Sequence, residues 1–123
     1  MNRIVHFELN SPDCEKSLPF FKEAFGWEFN TWDVGIPYHL TTTGEEGTPG
    51  IDGAIMPSQD GQQRTVNIIQ VENINEMITK LKGLNGTCVV EKMPIPGVGY
   101  SAYFTDPAGI LFGIYQSDPT ATA

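Results

Sequence analysis

The sequence is poor in the residue types that staple a chain, hold phosphate or cross a lipid layer. It has two cysteines, Cys14 and Cys88, too few for a disulfide framework, and both read as free buried thiols. Lys and Arg number 7 against 15 Asp and Glu, a formal net charge of −8. The basic residues are scattered, so a phosphate backbone or an anionic membrane would be repelled, and neither nucleic acid nor membrane is expected as a partner. No apolar run reaches the about 18 residues of a membrane span, and Met1 to Asn10 lacks the charged start and apolar middle of a secretory signal. A soluble cytoplasmic protein is therefore expected.

What is present suits one compact domain over residues 1–123, with 40% hydrophobic residues to fill a core. The chain also repeats itself. An offset of 60 residues carries Leu9 onto Ile69, Leu18 onto Ile78, Phe21 onto Leu81, Ala24 onto Leu84, Gly26 onto Gly86 and Gly53 onto Gly113. Module one is placed at about 1–58 and module two at about 62–118, with the polar stretch Ser58 to Gln63 as the seam.

Each half opens with a strand, Arg3 to Leu9 and Thr65 to Val71. A helix follows. Ser11 before Pro12 is a good helix start, and Leu18, Phe21, Ala24 and Phe25 form its expected buried stripe. Pro19 falls inside the pattern and predicts a kink or a late start. In the second half Asn73 and Glu76 form a capping box, and Ile74, Met77, Ile78 and Leu81 share one face. Gly26 and Gly86 are the expected helix ends. Three strands follow each helix: Trp27 to Trp32, Tyr38 to Thr43 and Ile51 to Met56, then Thr87 to Lys92, Tyr100 to Thr105 and Ile110 to Gln116. Asp106-Pro107-Ala108-Gly109 is a tight-turn signal.

Several segments together resemble one known group. They are His6-Phe7-Glu8-Leu9, the run Leu18 to Trp27, the run Met93 to Tyr100, and the run Asp106 to Gly113. With these the chain is similar to the vicinal oxygen chelate superfamily, which holds glyoxalase I, bleomycin resistance proteins and extradiol dioxygenases. The resemblance implies an α+β fold of two βαβββ modules in tandem, with curved mixed sheets enclosing a cavity, and often a second chain, so a homodimer is a candidate assembly. It does not fix a reaction, because function lives in the site and not in the scaffold.

In metal-dependent members the ligands sit on the first and fourth strands of each module. Carried onto this chain, those positions fall on His6, Val66, Gly53 and Gly113, and only His6 can bind a metal. Within Ile51 to Met56 only Asp52 is a further ligand type, and Ile110 to Gln116 has none. A single imidazole does not hold a divalent ion against water, so no metal cofactor is expected. Glu8 shares the strand parity of His6 and would be the one further ligand if a metal were held.

His6 and Glu8 are instead candidate acid–base residues, with a hydrogen-bonded structural role for His6 as the alternative. Tyr100, Tyr103 and Tyr115 suit either a pocket wall or core packing. Gly53 and Gly113 would leave room for a guest near the backbone, or simply let the strands bend. His39 is assigned no chemistry, and Cys88 is read as an inert thiol. The loop from Met93 to Gly99 would either fold over the cavity mouth or merely connect strands.

The candidate binding set is thus His6, Glu8, Gly53, Tyr100, Tyr103, Gly113 and Tyr115, for a small organic molecule held between the modules without a metal. Two other readings stay open: a metal-dependent lyase or isomerase of the glyoxalase type, and a non-enzymatic module that sequesters a small molecule.

Overall fold

The computed structural model describes residues 1–122 and contains two βαβββ modules, an α+β fold. By contacts the chain divides into two compact units, His6–Val66 and a unit from Asn67 onward that also takes in Met1–Val5.

In module one, β1 (Arg3–Ser11) leads to α1 (Cys14–Phe25) and then to β2 (Glu28–Asp33), β3 (Pro37–Thr42) and β4 (Gly53–Pro57). The strand order is β2-β3-β4-β1, with β4 and β1 parallel and the other pairs antiparallel. Module two repeats the plan with β5 (Arg64–Gln70), α2 (Ile74–Gly83), β6 (Thr87–Ile95), β7 (Gly99–Thr105) and β8 (Leu111–Ser117). Its order is β5-β8-β7-β6, again with one parallel pair, β5 with β8. In the connector, Asp60 takes a two-point bond from Arg64 at 2.8 and 2.7 Å, so the seam closes on its own charges.

Several expectations are corrected. Helix α1 is capped by Asp13, whose Oδ1 accepts from Lys16 N–H at 3.3 Å, two residues after Ser11. The Ser11 hydroxyl instead accepts from Asp13 N–H at 3.1 Å. Pro19 lies within the helix, which starts before it. The stripe Leu18, Phe21, Ala24 and Phe25 is not buried: Leu18 and Phe21 are half-buried and Ala24 and Phe25 are exposed. Gly26 does end α1 with φ +75°. In α2 the left-handed residue is Asn85, and Gly86 follows because its N–H bonds Leu81 O, where a Cβ would sit 2.8 Å from that oxygen. Strand β6 continues through Met93 to Ile95, pairing with β7. The segment read as a loop is thus a tight hairpin turn, pinned by Val98 N–H to Ile95 O at 2.9 Å and by Gly97 N–H to Ala121 O at 2.9 Å.

The Asp106 to Gly109 turn forms as expected. Asp106 Oδ1 accepts from Ala108 N–H at 3.0 Å and from Ile110 N–H at 2.7 Å, an Asx-type closure. The core of module two is Val71, Ile74, Ala102, Phe104 and Ile114, with Met77, Ile78 and Leu81 of α2 packed onto it. Both cysteines are free but only half-buried, and burial pushes both thiols up, away from the reactive thiolate.

Candidate functional site

Strand alternation and register decide which predicted residues share a face. In module one Glu8 lies beside Ala54, and Ala54 beside Leu40, so these point one way, together with His6 two residues before Glu8. Phe7, Gly53 and Thr41 point the other way, toward α1, where the Phe7 ring meets Trp27 with centroids 6.2 Å apart.

On the face away from α1 three side chains form a chain of hydrogen bonds. Tyr38 Oη donates to Glu8 Oε2 at 2.7 Å, and His6 Nε2 lies 2.8 Å from the same Tyr38 oxygen. The His6 and Tyr38 rings stand nearly parallel, with centroids 6.4 Å apart. Glu8 is buried and His6 half-buried. Burial pushes the His6 pKa below its ordinary value, against the opposing pull of Glu8 and Asp52. The imidazole is therefore neutral near pH 7.

Tyr38 was not among the predicted residues, and it is the one that joins two that were. It stands 32 residues from His6 and 30 from Glu8. The only sequence signal was its parity: in a strand holding His39, Tyr38 occupies the alternate face. His39 itself points toward the α1 side and pairs its Nδ1 with Thr31 Oγ1 at 2.7 Å.

Gly53 does not join His6 and Glu8. It lies on the α1 face, and a Cβ there would collide with the Phe7 carbonyl oxygen and stand 2.5 Å from the Phe7 ring. The space it leaves is filled by a neighbour and not by a guest. The counterpart of Gly113 is Ala54, because Ile68 lies beside Gly113 as Glu8 lies beside Ala54. At Gly113 the vacant side-chain position is covered by Ile68 Cδ1, 2.5 Å from where a Cβ would be, and by the Tyr103 ring at 3.2 Å.

In module two Tyr103 and Tyr115 share the Gly113 face, and Tyr115 Oη donates to Val98 O at 3.1 Å. Tyr100 falls on the opposite side, packed against the core under α2 with Lys92 Nζ 5.1 Å from its ring centroid. It is half-buried at the edge of that core. Two open grooves lie elsewhere. One of about 320 Å³ runs under α1, lined by Leu9, Ser11, Phe21 and Ile55 among others. The other, about 570 Å³, surrounds the start of α2. None of the predicted residues lines either.

The outward positions of β4 beside His6 and Glu8 are Ala54 and Met56. Asp52 closes the preceding loop with Oδ1, which accepts from Thr43 N–H at 2.8 Å. Among the described residues no three His, Cys, Asp or Glu side chains gather as a metal site.

Comparison with known proteins gives a consistent picture of fold. The family model described as Glyoxalase/Bleomycin resistance protein/Dioxygenase superfamily matches residues 3–114. No curated protein matches the chain by sequence. Among solved structures, a methylmalonyl-CoA epimerase from Mycobacterium tuberculosis is similar with a TM-score of 0.73 and 14% identity, covering 94% of this chain and 88% of that one. A hypothetical protein from Bacillus halodurans C-125 gives 0.73 and 14%, covering 98% of both chains. A variant of the Streptomyces coelicolor methylmalonyl-CoA epimerase in complex with 2-nitronate-propionyl-CoA gives 0.72 and 12%, covering 100% of this chain and 99% of that one. At such identities the likeness is one of fold.

Proposed function

The chain belongs to the glyoxalase/bleomycin resistance protein/dioxygenase superfamily, and on that premise we propose that it binds a small, partly apolar organic molecule on the face carrying His6, Tyr38 and Glu8, without a metal. The observation that carries this reading is the hydrogen-bonded chain itself: a buried carboxylate, a phenol and a neutral imidazole in contact on one strand face. A buried polar chain of this kind costs desolvation, which a purely structural strand position would avoid with an apolar residue. Any catalysis is acid–base work by His6 or Glu8.

The rest of that face suits an uncharged guest. Trp32, in register with Tyr38, and Leu40, beside Ala54, supply apolar wall. The alternate positions of β1 to β4 on this side carry no lysine or arginine. Neighbouring structures hold coenzyme A thioesters, whose phosphates call for basic side chains. A ligand without phosphates fits this face better.

Native mass spectrometry of freshly purified protein, followed by crystallographic screening of small aromatic and carbonyl compounds, tests the reading. The expected result is a retained or soaked organic molecule against His6 and Tyr38. Stoichiometric divalent metal lost in His6→Ala would overturn the metal-free reading. Occupancy confined to the groove under α1 would overturn the choice of face.

A further inference from the structure

We propose that Tyr38 is a positioning residue: it holds the proton of His6 on Nε2 and so makes Nδ1 the atom that accepts a hydrogen bond or a proton from the ligand. What Nδ1 does rests on the binding face assigned above, whereas the tautomer follows from the hydrogen bonds alone.

A carboxylate has no proton to give, so the 2.7 Å contact between Tyr38 Oη and Glu8 Oε2 has one direction, from the phenol to Glu8. A phenol has one hydrogen. With it directed at Glu8, the Tyr38 oxygen meets His6 Nε2 at 2.8 Å only as an acceptor, and Nε2 must carry the hydrogen. The neutral ring then leaves Nδ1 as a bare lone pair, and no partner for it is present among the described residues. Burial, the dominant influence on this ring, favours its neutral form.

His39 gives the contrast within the same module. Its Nδ1 meets the Thr31 hydroxyl at 2.7 Å, a group that both donates and accepts, so that contact leaves the tautomer undecided.

The consequence is a directional site. A ligand hydroxyl, N–H or acidic C–H finds an acceptor at Nδ1. When a ligand proton moves there, the ligand's bond to hydrogen breaks, its electron pair stays on the ligand, and an N–H bond forms. The resulting imidazolium points its Nε2–H at an oxygen backed by the Glu8 carboxylate. An orienting partner of this kind sets which nitrogen reacts.

Long-range proton–nitrogen correlation NMR on the uniformly labelled full chain reads the tautomer directly. The sequence has only two histidines, and His39→Gln assigns them. The expected wild-type spectrum has His6 protonated on Nε2 and bare on Nδ1 at neutral pH. In Tyr38→Phe the Nε2–H population falls from nearly complete toward the mixed population of an unconstrained imidazole. A wild-type proton on Nδ1, or an unchanged tautomer in Tyr38→Phe, overturns the proposal. Should that variant not fold, the wild-type spectrum alone decides, and a ring proton on Nδ1 overturns the proposal. Titration with phenol and with its methyl ether, anisole, then separates the two claims. A Nδ1 shift with phenol alone supports the acceptor role. Silence to both compounds with the expected tautomer counts against the binding face and not against the role of Tyr38.

Discussion

In module two, α2 seats Ile74 at 1% exposure in a core with Phe104 at 0%, whereas α1 of module one has no fully buried residue and leaves Phe20 and Phe25 at 62% and 63%. The first strands differ in the same sense. Where β1 carries His6 and Glu8 on the face away from its helix, β5 carries Val66 and Ile68. One unit has thus been used twice with opposite emphasis: module two buries apolar side chains under its helix, and module one holds a polar chain that burial alone would penalise. An element order can be duplicated without its energetics or chemistry, because both depend on which residues fill equivalent positions.

The largest expected effect breaks the contrast between the helices. Phe104→Ala should cost about 3–5 kcal/mol through lost burial and the cavity left behind, whereas Phe25→Ala should stay within about 0.5 kcal/mol of wild type. Urea unfolding followed by circular dichroism measures both, and comparable losses would sink the claim that the modules differ in packing.

A smaller effect separates the two glycines. Gly53→Ala drives a methyl group against the backbone oxygen of Phe7, which cannot turn aside, and should cost about 1–3 kcal/mol. Gly113→Ala meets first the flexible end of Ile68, and a rotamer change should hold its cost to about 1 kcal/mol or less. Thermal melts of the pair would reverse this order if Gly53 bordered an empty site.

The smallest effect is in pH. The folded pKa of His6 lies below its ordinary 6.5, so as pH falls the unfolded chain takes up the proton first. The stability contributed by the neutral ring is complete above about 6.5 and is lost as pH falls through the folded value. Val66, at the same offset in module two, does not titrate. Comparing urea midpoints at about pH 7.5 and about pH 5.5, His6→Gln should flatten part of the wild-type slope; an identical slope in both proteins would show that His6 is not buried as described.

Much of this was legible in the amino acids. The strand-helix-strands order, Asn73 as the cap of α2, the Asp106 to Gly109 turn and the polar seam all depend on neighbours within a few residues, where periodicity and turn chemistry act. His6 is singled out by the first-strand position that the family resemblance marks, and Glu8 by sharing the strand parity of His6. Gly53 was misassigned because the offset of 60 that aligns the first strands does not align the fourth ones: Glu8 pairs with Ala54 while Ile68 pairs with Gly113. A slip of one residue exchanges the faces of a strand.

The sequence by itself therefore determined the elements, their twofold repetition and the family, since each is written in local patterns or residue identity. Tertiary structure alone decided that Tyr38 stands between His6 and Glu8, that Tyr100 packs against the core under α2 while Tyr103 and Tyr115 lie on the other face, and that no residue of the α1 stripe is fully buried. These are matters of register between strands distant in the chain, and register is set by how whole faces pack, which no single segment specifies.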